Sequence, residues 1–222
     1  TTSNGVWKIN KHRHTELNTL FKFDDMIGAT TGYDMNWAIG TASSGTSTAQ
    51  ADELNHIGIH RLSITTNNGS TARIQLNNTY RNFQPVVIEG MIRLNAVQSV
   101  SRIVFGLTTT NTLPATPTAA AYFYSDNTLT VWQGRTVNAS TSTNTSTGIN
   151  ITTGTWYRMT MVVNTGRVDF YINGTLVASN TTNIPSNTQA LIPLFGLIKT
   201  SAGGTALSAD IDYFLMNTSL VR

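Results

Sequence analysis

The chain has 222 residues, a formal net charge of +3 and no cysteine, and only 11% of its residues are charged. The missing cysteines exclude a disulfide framework and thiol chemistry, and no stretch reaches the ~18 apolar residues of a membrane-spanning helix. The arginines are scattered singly, without the basic stripe of nucleic-acid-binding proteins, so we do not expect a nucleic-acid partner. Because no apolar stretch is long enough to span a membrane, we do not expect membrane insertion either. Abundant Thr, Ser, Asn and Gly favour short strands and turns over helices.

Residues 1–18 differ in character from the rest of the chain. They hold Trp7 and a cluster of lysine, arginine and histidine residues, and we interpret them as a lead-in or connecting segment. Residues 19–222 are predicted to form a single domain, a length that suits one β-sandwich. Its first strand is predicted at 20–25, where phenylalanines alternate with other residues. The small polar residues at 40–54 predict a long loop.

Two strand pairs are predicted in the next third of the chain. Residues 57–66 and 71–76 flank an Asn-Asn-Gly-Ser sequence and predict a hairpin. Residues 85–94 alternate regularly between apolar and other side chains, and their predicted partner is 100–107. In that partner the even-numbered Arg102 is expected to face outward.

A pair of short strands at 121–124 and 129–132 is predicted to follow. Its apolar side is expected to hold Tyr122, Tyr124, Leu129 and Val131. Alternation then turns Phe123 and Trp132 to the outer surface. The run of Ser, Thr and Asn at 138–148 is low in complexity and is interpreted as a mobile loop.

The strongest pattern lies at 155–179, where two alternating arms are followed by Asn173-Gly174. This dipeptide favours a two-residue hairpin turn with positive φ at both positions. The alternation predicts that Met161 lies opposite Phe170 and that Thr160 lies opposite Tyr171. Two last strands are predicted at 190–199 and 206–216. These short strands and frequent turns predict an all-β fold, an antiparallel two-sheet jelly-roll sandwich.

The sequence W-Y-R-M-T-M-V-V-N-T-G-R-V-D-F-Y-I-N-G-T-L-V-A resembles the strand–turn–strand signature of the concanavalin A-like lectin superfamily, and within it the laminin G-like jelly rolls. P-L-F-G-L at 193–197, I-D-Y-F at 211–214 and L-F-K-F-D-D near the start extend this resemblance over most of 19–217. It implies the fold but leaves function open, because the superfamily mixes lectins, adhesion modules, glycosidases and lyases. In composition the chain is also similar to domains of bacteriophage tail fibres and other virion surface proteins.

Enzymatic activity is not expected. Retaining glycosidases of this superfamily carry a Glu-x-Asp-x-Glu pattern, which places two carboxylates about 5 Å apart, and the sequence lacks it. The nearest pattern is Asp210-Ile211-Asp212, whose carboxylates would share one strand face roughly 7 Å apart. The resemblance implies a structural role for an Asp at this point.

No cofactor is expected, although a structural metal ion remains an alternative. His56 and His60 are too far apart on one strand, about 13 Å, to share an ion, and are expected at the surface or an edge. His12 and His14 form an H-x-H pattern that resembles the axial metal motif of trimeric phage fibre tips. These two histidines are the candidate metal ligands, and the segment that holds them suggests a homo-oligomer, most plausibly a trimer.

The predicted outer surface combines aromatic and polar side chains, as sugar-binding sites do. The candidate ligand-binding residues are Glu89, Arg102, Phe123, Trp132, Arg158 and Tyr171. We therefore expect a lectin-like recognition domain on a virion surface or an extracellular fibre, with a cell-surface glycan or another virion protein as its partner. One alternative is a structural decoration domain whose aromatics face another protein. A further alternative is a polysaccharide-degrading enzyme on the same scaffold.

Overall fold

The computed structural model describes residues 19–24, 37–76, 85–96, 100–110, 112, 117–126 and 130–219; for 19–24 and 219 it describes the backbone alone. Fifteen β-strands lie in these ranges, in the order β1 Thr19–Asp24, β2 Trp37–Ala42, β3 Thr46–Ala49, β4 His60–Ile64, β5 Thr71–Leu76, β6 Val86–Leu94, β7 Ser101–Thr108, β8 Ala119–Ser125, β9 Val131–Asn138, β10 Thr141–Asn150, β11 Trp156–Asn164, β12 Arg167–Ile172, β13 Thr175–Asn180, β14 Ile192–Lys199 and β15 Leu207–Ser219. The described part contains no helix that could cross a membrane.

The strands form two antiparallel sheets packed face to face, as the alternation predicted. Sheet A has the order β13-β12-β11-β6-β15-β4-β3, with β1 paired to β15 beside β4. Sheet B has the order β10-β9-β8-β7-β14-β5-β2. The all-β, two-sheet jelly-roll prediction is therefore confirmed. The predicted lead-in segment at 1–18, with Trp7, His12 and His14, lies outside the described residues.

The strongest sequence pattern is confirmed in detail. Asn173 and Gly174 have φ values of 52° and 82°, the left-handed turn that links β12 to β13. Across β11 and β12, Met161 pairs with Phe170 and Thr160 with Tyr171. One face of this hairpin is buried, so the register is fixed by the side-chain alternation.

Two predicted strand pairings are wrong, although the strands themselves exist. β6 lies in sheet A between β11 and β15, whereas its predicted partner β7 lies in sheet B between β8 and β14. The segments that were predicted as a hairpin, β4 and β5, also belong to different sheets. In both cases the chain crosses between layers, and alternation cannot distinguish this from a hairpin because both layers bury one strand face.

Two predicted loops are strands instead. Within 40–54 the chain forms the end of β2 and all of β3 around a turn at Ser43 and Ser44, whose φ values are 49° and 68°. Within 138–148 it forms most of β10, an edge strand paired with β9. β10 is mostly exposed and rich in threonine, so it has strand propensity without the apolar alternation that identifies a half-buried strand.

The expected orientation of β8 and β9 is also wrong. Phe123 and Trp132, predicted to face outward, are buried in the core between the sheets. Phe123 packs edge-on against Phe170 with ring centroids 5.2 Å apart, and Trp132 packs against Tyr157 at 5.9 Å. Each ring thus spans the gap between sheet B and sheet A.

The reversal has a physical reason in the hydroxyl groups. The apolar core between the sheets favours the ring of Phe123, whereas on the outer face the hydroxyl of Tyr124 finds an acceptor in Asp126. Tyr122 and Tyr124 consequently point to the outer face of sheet B, where they join a separate apolar cluster with Val104 and Leu194. Val131, expected in the core, is only half-buried, and Leu129 lies outside the described residues.

Gly134 allows the close contact between the two sheets beside Phe123. A Cβ placed on Gly134 would lie 2.5 Å from Cδ2 of Phe170. We predict that Gly134→Ala lowers the free energy of unfolding by ~1–3 kcal/mol, because an added methyl group overpacks a rigid core. Urea denaturation measures this loss.

The Phe170→Leu change removes the ring that would clash, so the double variant Gly134→Ala/Phe170→Leu should lose less stability than the two single variants combined. Strictly additive losses would contradict this account of the contact.

Candidate ligand-binding face

The structure divides the predicted site residues among three places. Glu89, Arg158 and Tyr171 lie on the outer face of sheet A, where β6, β11 and β12 place them close to one another. Arg102 lies on the outer face of sheet B, since Ile103, Phe105 and Leu107 of the same strand face the core. Phe123 and Trp132 lie between the sheets. The residues predicted to share one face are therefore divided between the outer faces of the two sheets and the core.

The outer face of sheet A carries a chain of ion pairs. Asp210 accepts hydrogen bonds from Arg61 Nε at 2.7 Å and from Arg93 Nη2 at 2.6 Å. Arg93 in turn donates two hydrogen bonds to Glu53, at 2.8 and 2.7 Å. Burial opposes ionisation of Asp210, but the hydrogen bonds from Arg61 and Arg93 outweigh it and hold the pKa of this carboxyl below its ordinary value.

The other charged groups on this face are engaged in the same way. Asp212 lies 2.8 Å from Nδ1 of His56, whose ring stacks on Trp156 at 4.3 Å. Glu89 accepts hydrogen bonds from Thr160 and Tyr213, at 2.6 and 2.7 Å. Burial, together with the bond to Glu89, raises the pKa of Tyr213.

These contacts explain why the Asp210-Ile211-Asp212 pattern is structural. Each of the two carboxylates has a cationic or imidazole partner, and Asp210 is fully buried. Removing the buried carboxylate of Asp210 would leave Arg61 without its ion-pair partner, while Arg93 would keep Glu53, so Asp210 is part of a structural network. Most charged side chains on the outer face of sheet A are thus paired within that face, whereas Arg158 is exposed and forms no ion pair with the described residues.

The described residues contain no group of three or more His, Cys, Asp or Glu side chains arranged to hold a metal ion. His60, expected at the surface or an edge, is instead fully buried, and its Nε2 shares a hydrogen bond of 2.5 Å with Ser47 Oγ. Burial lowers the pKa of His60 to about 4, and the nearby Asp210 only partly opposes this shift.

The outer face of sheet B has a different character, because none of its seven strands contains an Asp or Glu. Its central side chains are shielded from solvent, with the amides of Gln75 and Gln133 only 6% and 8% exposed. Arg73 donates from Nε to Gln75 at 3.0 Å rather than to a carboxylate, and burial lowers the pKa of this guanidinium.

Two further arginines converge on one ring of this face. The guanidinium carbon of Arg102 lies 5.5 Å from the ring centroid of Tyr124, and that of Arg135 lies 4.8 Å from it. The Nε atoms of both arginines are buried without a hydrogen-bond acceptor. A buried donor without an acceptor costs ~1–3 kcal/mol, so this arrangement is suited to a ligand that supplies acceptors.

Asp126 stands at the end of this arrangement, where its Oδ2 accepts a 2.6 Å hydrogen bond from the hydroxyl of Tyr124. Burial and this bond raise the pKa of Tyr124 to about 12. The hydroxyl of Tyr124 is therefore already engaged as a donor to Asp126. Arg135, Tyr122 and Tyr124 were not among the predicted site residues, because their placement depends on the orientation of β8 and β9.

Folding should become less favourable in acid because His60 is buried. The pKa of this imidazole is lowered to about 4 in the folded chain, so between pH 6.5 and 4 the unfolded chain binds more protons and stability falls as the pH falls. We predict that the wild type loses about 2 kcal/mol of unfolding free energy from this group between pH 7 and pH 4.5.

Urea denaturation at both pH values tests this prediction. His60→Gln should show a loss smaller by that amount, whereas His56→Gln, which retains His60, should keep it. An equal pH dependence in the wild type and His60→Gln would contradict the assignment.

Comparisons with known proteins agree with this architecture. The family model of the concanavalin A-like lectin/glucanases superfamily matches residues 66–217. No curated protein matches the chain. Among solved structures, a protein of unknown function from Shewanella oneidensis MR-1 is similar with a TM-score of 0.70 and 19% identity, covering 92% of this chain and 89% of that one.

Two other similar structures have assigned roles. The β-glucanase of Bacillus licheniformis has a TM-score of 0.62 and 15% identity, covering 91% of this chain and 98% of its own. The Emp47p carbohydrate recognition domain has a TM-score of 0.59 and 13% identity, covering 89% and 94%. At such identities the likeness shows the fold alone, and that fold is shared by lectins and glycoside hydrolases. By the match of its sequence to the family model, the chain belongs to the concanavalin A-like lectin/glucanases superfamily.

Proposed function

We propose that the chain is a carbohydrate-recognition domain without hydrolytic activity, and that its ligand lies on the outer face of sheet B. The observation that carries this proposal is the pair of guanidinium groups of Arg102 and Arg135, each with a buried Nε that lacks an acceptor. Saccharides supply many acceptor oxygens, and the amides of Gln75 and Gln133 offer both donors and acceptors beside them. The outer face of sheet A, by contrast, leaves few such groups unengaged.

The carboxylates argue for binding rather than hydrolysis. Glycoside hydrolysis requires two carboxyl groups on opposite sides of the scissile bond. The strands of sheet B contain none, and Asp126 is a single carboxylate already bonded to Tyr124. On sheet A, Asp210 and Asp212 are held by Arg61, Arg93 and His56. Similarity to β-glucanases in fold does not supply a catalytic carboxylate pair, and the described strands of sheet B do not contain one.

The biological setting is a separate part of the proposal. The composition and the resemblance to virion surface domains favour a place on a virion surface or an extracellular fibre, with a cell-surface glycan as the partner. A homo-oligomer, most plausibly a trimer, was predicted from the segment at 1–18 and stays a prediction. The alternative function is that of a structural decoration domain. The absence of glycan binding in an array experiment would favour this alternative.

A matched pair of arginine variants tests which face binds. We predict that Arg102→Gln weakens binding to a glycan identified on an array by about tenfold or more, because a charged hydrogen-bond donor is lost. The control Arg158→Gln changes an exposed arginine on the outer face of sheet A and should leave the affinity unchanged. Isothermal titration calorimetry measures both affinities, with thermal unfolding as the check on folding.

Loss of binding in Arg158→Gln but not in Arg102→Gln would move the site to sheet A. Release of reducing ends from the bound glycan by the wild-type chain would contradict the proposed lack of hydrolysis.

A further inference from the structure

The geometry points to an acidic saccharide as the ligand class, held through its carboxylate or sulfate group by Arg102 and Arg135 on the outer face of sheet B. This inference rests on the proposed function and adds the chemical class of the ligand. It depends on three features of the described residues: the convergence of the two guanidinium groups, the lack of an ion pair at either of them, and their partial exposure.

Convergence follows from the strand register. β8 runs between β7 and β9, with Tyr124 opposite Val104 on one side and Gln133 on the other. Arg102 and Arg135 reach the same tyrosine ring from these two neighbouring strands. Because their guanidinium carbons lie 5.5 and 4.8 Å from one centroid, the two groups are within about 10 Å of each other. Two cations at this spacing attract an anion placed between them.

The arginines of the two sheets differ in their acceptors. On sheet A the Nε atoms of Arg61, Arg93 and Arg167 all donate to aspartate, at 2.7, 3.1 and 2.6 Å respectively. On sheet B the Nε atoms of Arg102 and Arg135 have no acceptor. The remaining contact, from Arg135 Nη2 to Ser142 Oγ at 3.3 Å, is long and neutral.

The carboxylate of Asp126 lies beside the same tyrosine, but among the described side chains it forms no ion pair with Arg102 or Arg135. None of the ion pairs between described side chains includes Arg73, Arg102 or Arg135. Buried or half-buried charges are normally paired, so a carboxylate or sulfate group that accepts hydrogen bonds from both guanidinium groups supplies the missing partner. Neutral saccharides offer only uncharged hydroxyl oxygens.

Access for a ligand comes from the two arginines themselves, because Arg102 and Arg135 are only half-buried. The side chains between them are closed to solvent, with Val104, Tyr122 and Tyr124 each only 4% exposed. The saccharide therefore contacts this face through its anionic group at Arg102 and Arg135, and its ring lies toward solvent.

Matched charged and neutral ligands test this inference on the full chain. We expect an oligogalacturonate to bind at least tenfold more tightly than its methyl ester, and dextran sulfate at least tenfold more tightly than dextran, at low ionic strength. Comparing the two acidic ligands distinguishes a carboxylate from a sulfate requirement. The preference should fall as salt is added.

Variants locate the anionic contact. Arg102→Gln and Arg135→Gln should each reduce binding of the preferred acidic ligand by about tenfold or more, and the control Arg158→Gln should not. A retained preference for acidic ligands in Arg102→Gln/Arg135→Gln would overturn the assignment.

The results also separate the inference from the proposed function. Equal affinity for the acidic and neutral members of each pair would overturn the inference and leave carbohydrate recognition intact. If inorganic sulfate shifted the thermal unfolding temperature of the wild type but not of the double variant, and no saccharide bound, the anion site would stand and carbohydrate recognition would fail. Absence of binding by every one of these ligands would overturn both.

Discussion

The packing of Phe123 and Trp132 between the sheets determines what the rest of the molecule presents to solvent. Phe123 contacts Phe170 and Trp132 contacts Tyr157, so two strands of sheet B are locked to two elements of sheet A. Aromatic pairs of this kind contribute ~0.5–1.5 kcal/mol beyond the burial of their area. Because side chains alternate along a strand, the residues next to these rings point to the opposite face of the sheet. Tyr124 and Arg135 therefore lie on the outer face of sheet B because the large apolar rings lie inside.

The two outer faces use charge in opposite ways. On sheet A, acidic and basic side chains alternate in space, from Arg61 through Asp210 and Arg93 to Glu53, and each of these four charges is paired within the face. On sheet B, arginines occur without any carboxylate in the strands, and two of them lack an acceptor for Nε. This difference separates a structural surface from a candidate binding surface on one small domain.

Sequence reasoning succeeded where one strand face alone is apolar and a turn has a distinctive sequence. The register around Asn173-Gly174 is correct for this reason. It failed at β8, where Ala, Tyr and Phe make both strand faces apolar and every residue is buried. The alternation there does not show which face of the strand points to the core. It also missed β10, whose threonines form an exposed edge strand. These errors also affected the predicted site. Arg102 was predicted from the sequence, but Arg135 and Tyr124 could be placed beside it only once the orientation of β8 and β9 was known.

If the outer face of sheet B receives the ligand, the charges of sheet A should remain engaged with each other during binding. Arginine Nε–Hε signals of the ¹⁵N-labelled chain, recorded by NMR during titration with oligogalacturonate or dextran sulfate, report on this directly. We expect the signals of Arg102 and Arg135 to move as acceptors reach them, and those of Arg61 and Arg93 to stay in place. Movement of the Arg61 and Arg93 signals, with Arg102 and Arg135 unchanged, would contradict this expectation.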